Sequence, residues 1–131
     1  MESFLDLFGL RRRQALRVAV NWLVDVQVQG TDHFVGFYAY DVGVAGLRLQ
    51  GHTLDAFERV VSADGTARMR LRVPDPQDVL EVEAGFKWER EEEGKAISGW
   101  SFSSLSRSVR KALEDYIRAH PEDIIEVPEK E

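Results

Sequence analysis

Two arginines four residues apart precede a segment with strand patterning, and an aspartate followed by two glycines lies further along the chain. The arginines are Arg13 and Arg17, and the second group is Asp41, Gly43 and Gly46. The planar guanidinium fork of arginine suits both phosphate oxygens and the Hoogsteen edge of guanine. A carboxylate accepts hydrogen bonds from the Watson–Crick N–H groups of a guanine. These residue types therefore predict a receptor for a guanine nucleotide.

In their order and spacing, these residues resemble the two motifs of the PilZ domain, a bacterial receptor family for cyclic di-GMP. The family motifs are RxxxR near the N-terminus and (D/N)xSxxG in the following hairpin. Arg13 and Arg17 match the first motif in full, and Asp41 and Gly46 match the second. Gly43 stands where the motif has serine, which removes one hydroxyl hydrogen bond worth about 1 kcal/mol. We therefore expect binding to be weakened and not abolished.

The resemblance covers residues 10–120. Beyond the two motifs, it includes a tryptophan-bearing strand at Phe86-Lys87-Trp88, a strand at residues 99–102 and a helix from Ser106 to His120. It implies a mainly β fold, a small six-stranded antiparallel Greek-key β-barrel with a C-terminal α-helix. We divide the chain into an N-terminal apolar segment (1–10), a PilZ-like domain (11–120) and an acidic tail (121–131).

The resemblance further implies a receptor that is not an enzyme and needs no cofactor, with cyclic di-GMP as its ligand. Arg13 and Arg17 would contact phosphate and guanine from an N-terminal arm that orders on ligand binding and signals to an unidentified protein effector. Asp41 and the backbone of Gly43–Gly46 would form the barrel side of the pocket. Arg12 either stacks on a guanine, contacts a second ligand molecule or is simply solvated.

Composition limits the classes of partner. The 131 residues include 17 Lys+Arg and 23 Asp+Glu, a net charge of −6, which argues against indiscriminate binding to nucleic acid or anionic membranes. Four arginines between residues 11 and 17 supply a local basic site for an anion. Cysteine is absent, which excludes disulfides and thiolate chemistry. Because the apolar N-terminus is followed and not preceded by arginines, it does not fit a secretory signal, and we expect a cytoplasmic protein without stable membrane insertion.

Alternating apolar residues predict the strands that must position the motifs. Between Val18 and Val28 the apolar side chains recur with period two. A second strand, from His33 to Tyr40, leads directly into Asp41. Further strands are predicted at 47–49, 66–73, 79–88 and 96–102. The segment 50–61 fits either a helical turn or an extended chain.

The hydrophobic period then changes to that of a helix. Apolar residues between Leu105 and Ile117 fall on one helical stripe, with Ser106 or Ser103 as the N-cap and Pro121 just past the end. Several short antiparallel strands and one amphipathic helix predict a small β-barrel with a helix laid against it.

Two other functions remain open at this stage. A barrel that has lost nucleotide binding, as the glycine at position 43 suggests, would serve as a scaffold for protein partners. A binder of single-stranded nucleic acid would stack bases on aromatic residues such as Trp22, Trp88 and Trp100, although the negative charge opposes it. Catalysis has no motif here, because no histidine has metal-ligand spacing to another. The apolar residues 1–10 suit packing on the barrel, an effector or a second copy in a homodimer.

Overall fold

The computed structural model describes residues 16–51, 57–58, 60, 64–74 and 77–126. Strands make up most of this part of the chain, followed by one α-helix and a short 3-10 helix at Pro121–Asp123. The strands and the helix are β1 Leu16–Gln27, β2 Phe34–Val42, β3 Gly46–Gly51, β4 Thr66–Pro74, β5 Gln77–Glu92, β6 Lys95–Ser104, α1 Arg107–Ala119 and β7 Ile124–Glu126.

Six antiparallel strands close into a barrel. The spatial order is β2-β3-β6-β5-β4-β1, and β1 pairs with β2 to complete the ring. Strands β4, β5 and β6 follow one another as hairpins while β3 pairs with β6, which is a Greek-key connection. The predicted mainly β fold, with its six-stranded barrel and C-terminal helix, is confirmed.

The short strand β7 extends the sheet beyond the helix. It pairs with the first residues of β1, where Leu16, Arg17 and Val18 lie opposite Glu126, Ile125 and Ile124. Farther along the same edge, β1 pairs with β4. The sequence assigned residues 121–131 to an acidic tail, and the structure adds a strand within that segment. The start of β1 is therefore held between β2 and β7.

The core is built from the inward side chains of the strands. Along β1 the fully buried positions are Val18, Trp22, Val24 and Val26. The predicted alternation holds along the strand, with Val20 packed against the same core, although a register shift between Ala19 and Trp22 places two residues of β1 opposite one of β2. The inward faces of the other strands complete one continuous apolar cluster. Burial of this cluster is the main favourable contribution to folding.

Helix α1 covers the core with its apolar stripe. Val109 and Leu113 are buried, and Tyr116 meets Trp22 edge to face with ring centroids 4.9 Å apart. Ser106, one of the two predicted N-caps, accepts a hydrogen bond from the Val109 backbone N–H at 3.2 Å. The amphipathic pattern therefore identified both the helix and its contact face.

The ambiguous segment after β3 contributes two residues to the core. Phe57 is 2% exposed and Val60 is 1% exposed. Phe57 stacks on Phe37 of β2, with ring centroids 4.9 Å apart. Among the described residues there, the Val60 N–H donates to the Phe57 carbonyl at 3.2 Å, which forms a turn and not an extended segment. Residues 54–56 of the predicted helical turn lie outside the described residues.

Candidate functional site

A β-bulge decides the direction of Asp41. Ala39 faces the core, so strict alternation along β2 would turn Asp41 inward as well. The register between β2 and β3 shifts after Ala39, with Tyr40 as the extra residue, and Asp41 pairs with Arg48. Arg48 lies on the outer face of β3 between two buried leucines. Because paired residues share a face, the bulge places Asp41 on the outside of the barrel.

Two arginines from neighbouring strands enclose the Asp41 carboxylate. Arg17 Nη1 of β1 lies 3.2 Å from Oδ1, and Arg48 of β3 contacts Oδ2 through Nε and Nη2. Asp41 is fully buried beneath these side chains, which are themselves 19% and 12% exposed. A buried carboxylate requires such pairing. Two guanidinium groups therefore meet one carboxylate close to the surface.

The ring of Tyr40 packs against Arg48. The guanidinium carbon of Arg48 lies 4.7 Å from the centroid of the Tyr40 ring, in cation–π geometry. Burial raises the pKa of Tyr40 to about 12, the nearby Asp41 carboxylate acts in the same direction, and Arg48 opposes the shift. The phenol therefore stays neutral, and its ring and the carboxylate together fix the position of Arg48.

The two glycines of the hairpin allow other backbone segments to approach. A Cβ atom at Gly43 would lie 2.7 Å from the Leu16 carbonyl oxygen, and one at Gly46 would lie 2.0 Å from the Trp100 carbonyl oxygen. The Gly43 N–H donates to the Gly46 carbonyl at 2.9 Å, which closes the turn. Both glycines are buried. Their lack of side chains is thus needed by the protein's own packing, whatever part the loop plays toward a ligand.

The predicted site residues fall into two groups. Arg17, Asp41 and Gly43 lie together at the start of β1 and the end of β2, with Gly46 at the other end of the same turn. Arg12 and Arg13 lie outside the described residues, as does the N-terminal segment 1–10. Arg17 and Asp41 are in direct contact with each other.

Sequence reasoning missed Arg48. The signal was available, because Arg48 stands between two leucines at the start of the strand that follows the turn, and so it must face outward opposite the end of β2. The bulge that turns Asp41 toward the same face has no comparable sequence signal.

Metal and membrane sites find no support in the residues that the structure describes. Across residues 16–51, 57–58, 60, 64–74 and 77–126, no group of three or more His, Asp or Glu side chains is arranged to hold a metal ion. In the same part of the chain, no helix has the length and apolarity needed to cross a bilayer.

Comparison with solved structures identifies the fold. The inhibitor of motility MotI/DgrA of Bacillus subtilis matches with a TM-score of 0.68 and 19% identity over 85% of this chain, and this chain spans about half (52%) of that one. The PilZ domain of YcgR from Escherichia coli, solved with c-di-GMP, matches with a TM-score of 0.62 and 13% identity over 81% of this chain and 88% of that domain. PlzA of Borreliella burgdorferi, in complex with c-di-GMP, matches with a TM-score of 0.56 and 7% identity over 92% of this chain and 57% of that one.

Sequence comparison adds no closer relative. No protein-family model and no curated protein sequence matches the chain. The likeness is therefore one of structure, and the chain has a PilZ-like fold.

Proposed function

We propose that this protein is a receptor for cyclic di-GMP that acts by binding and not by catalysis. The observation that carries the proposal is the cluster of Arg17, Asp41 and Arg48 on the outer face of three adjacent strands. The PilZ-like fold supports it, since the YcgR domain and PlzA with this fold were solved with c-di-GMP. The ligand offers two guanines and two phosphates, which match a carboxylate acceptor and guanidinium donors.

Ligand binding exchanges partners within the cluster. In the structure, both oxygens of Asp41 are engaged by arginines, and the contact with Arg17 is the longer of the two. In our proposal, the N–H groups of one guanine replace Arg17 at Oδ1, while Arg48 keeps Oδ2 neutralised. Arg17 then turns to a phosphate, together with Arg13 from the preceding arm. Arg12 adds a contact to a base or to a second ligand molecule.

Ordering of the arm is the proposed output. The arm joins the barrel at Leu16, which lies against Gly43 and pairs with β7. A ligand that draws Arg17 and Arg13 onto its phosphates fixes residues 11–15 at the barrel surface, where a protein effector can recognise them.

Calorimetric titration tests the proposal. Cyclic di-GMP should give saturable heat with the wild-type protein, and the Arg13→Ala, Arg17→Ala variant should bind at least about a hundredfold more weakly, because each charge-assisted hydrogen bond is worth about 1.5–3 kcal/mol. Cyclic di-AMP and GTP serve as ligand controls. An Arg68→Ala, Arg72→Ala protein removes the same charge at the same spacing from β4, which pairs with neither β2 nor β3, and should bind like wild type. Absence of heat from the wild type at high ligand concentration contradicts the proposal.

A scaffold without nucleotide binding is the second candidate. It is favoured by the engagement of both Asp41 oxygens by arginines of this chain, which satisfies the carboxylate within the fold. If this candidate is correct, a captured protein partner binds equally well with and without cyclic di-GMP. The Arg13→Ala, Arg17→Ala variant also keeps the interaction.

Restoring the motif serine should not restore affinity. In Gly43→Ser, the new Cβ meets the Leu16 backbone oxygen at 2.7 Å and Arg17 Cγ at 3.3 Å, so the start of β1 must move away from the hairpin. We expect a loss of about 1–3 kcal/mol in the free energy of unfolding and no gain in affinity for cyclic di-GMP. Gly85→Ser is the control, because its nearest new neighbour is 3.9 Å away. Tighter binding with unchanged stability in Gly43→Ser would show that the hydroxyl, and not the close approach, matters.

A further inference from the structure

An apolar cavity lies between helix α1, the start of β7 and the turn that joins β2 to β3. Its volume is about 350 Å³, within the size range of ligand pockets. The cavity is lined by Val44, Glu114, Ile117, Arg118, Pro121 and Ile124. Arg118 and Pro121 are exposed, so the cavity opens to the surface. Because apolar walls offer water few hydrogen bonds, such a space favours an apolar occupant.

The cavity lies beside the first residue of β1. Val44 follows Gly43, which is in close backbone contact with the Leu16 carbonyl. Ile124 belongs to β7 and pairs with β1 two residues after Leu16. The fifteen residues before Leu16 therefore join the barrel next to the cavity. An extended chain spans about 3.5 Å per residue, so residues 11–15 are long enough to let the N-terminal apolar segment reach it.

The N-terminal apolar segment has the side chains that such a cavity needs. Besides Met1, its apolar residues are Phe4, Leu5, Leu7, Phe8 and Leu10. The proposed contacts with cyclic di-GMP use none of them. Removal of phenyl and isobutyl groups from water is the main driving force for packing one segment on another, and the cavity offers that burial within the same chain.

The charges around the cavity also match the segment. Glu114 lines the cavity, and Glu122 and Asp123 stand in the 3-10 helix at its edge. Among the described residues, none of these three carboxylates has an ion-pair partner, since Arg118 is engaged elsewhere on α1. Arg11 directly follows the apolar residues, and the proposed nucleotide contacts leave it unused. Apolar and charged parts therefore follow one another in the segment as they do in the cavity and its edge.

We propose that the N-terminal apolar segment docks in this cavity of its own chain, with its phenylalanine and leucine side chains inside and Arg11 against the acidic edge. The inference goes beyond the proposed function, because docking requires no nucleotide. Docking fixes residues 12–15 at both ends, one at the cavity and the other at Leu16. The arm then has less conformational freedom to lose when a ligand orders it.

Paramagnetic relaxation in the full chain tests the docking. Because the chain has no cysteine, Glu2→Cys carries a single nitroxide label at the polar edge of the segment. Without nucleotide, the label should broaden the amide signals of Val44, Ile117 and Ile124. The amide signals of Gly30, at the far end of β1, should stay sharp.

Two sets of substitutions in the labelled chain separate burial from charge. Phe4→Ser, Phe8→Ser should remove most of the broadening at the cavity, because hydroxyl groups gain nothing from apolar walls. Glu114→Gln, Glu122→Gln should reduce it. Glu81→Gln, Glu83→Gln is the matched control, since it removes the same charge from the exposed face of β5 and should leave the broadening unchanged.

A mixed sample identifies the occupant. Labelled protein is added to isotope-enriched protein that carries no nitroxide, and broadening at the cavity of the enriched chains would show that the segment docks on a second copy, which overturns the proposal. Sharp cavity signals in the labelled full chain, or broadening that survives Phe4→Ser, Phe8→Ser, also overturn it. Unchanged broadening in Glu114→Gln, Glu122→Gln overturns the contact assigned to Arg11. Because the experiment contains no cyclic di-GMP, failure of the receptor proposal in calorimetry leaves its result unaffected.

Discussion

Replacement of Asp41 by asparagine is expected to lower the free energy of unfolding by about 3 kcal/mol and to abolish binding of cyclic di-GMP. The carboxylate is fully buried and neutralises two guanidinium groups that are themselves largely buried. Removing one partner of a buried ion pair leaves its remaining charges uncompensated, which typically costs about 3–5 kcal/mol. The amide also presents a donor where the carboxylate offered an acceptor, so its NH2 group must face either Arg48 or the guanine N–H groups, and its neutral oxygen accepts hydrogen bonds less strongly than a carboxylate.

Denaturant titration measures the change in the free energy of unfolding. Calorimetry, at a denaturant concentration where the variant is folded, then measures the binding of cyclic di-GMP separately. Asp25→Asn is the matched control, because Asp25, whose side chain is 17% exposed, pairs with Arg72, whose side chain is 48% exposed. A solvated partner makes an ion pair contribute much less than a buried one, so this variant should be destabilised by only about 1 kcal/mol and should bind normally. If both variants lose the same free energy of unfolding, the burial of the Asp41 cluster does not contribute to stability.

The strands and the helix could be predicted from the sequence because each has a simple periodic signal. The alternation along β1 and the helical stripe of α1 both reflect one buried face. The short strand β7 carries too few residues to show a period, and its two isoleucines are followed by acidic residues. Its pairing with β1 is a tertiary interaction that local sequence does not encode.

The site was predictable only in part, for a related reason. Motif spacing identified Arg17 and Asp41, but alternation alone would place both Asp41 and Trp88 inside the barrel. Each faces outward because one extra residue is inserted into its strand, Tyr40 in β2 and Lys87 in β5. A bulge depends on pairing with the neighbouring strand. Sequence patterns therefore located these residues along the chain without indicating that they share a face.

Replacement of Gly46 by alanine is expected to destabilise the barrel by at least about 3 kcal/mol. The added Cβ would lie 2.0 Å from the carbonyl oxygen of Trp100 and 3.2 Å from the Cα of Ser101. These are backbone atoms of a paired strand, so no side-chain rotation relieves the contact, and β3 must separate from β6 at its first residue. Trp100 is 1% exposed, so its displacement also disturbs the core.

The barrel contains a matched control for this variant. Gly85 pairs with Ser101 from the opposite side of β6, yet a Cβ atom there finds its nearest neighbour at 3.9 Å. Gly85→Ala should therefore change the free energy of unfolding by less than about 1 kcal/mol. Similar losses in both variants would rule out the steric explanation. If Gly46→Ala folds with wild-type stability but no longer binds cyclic di-GMP, the motif glycine is instead a position where the ligand approaches the backbone, and the contact with Trp100 is one that β6 can readily relax.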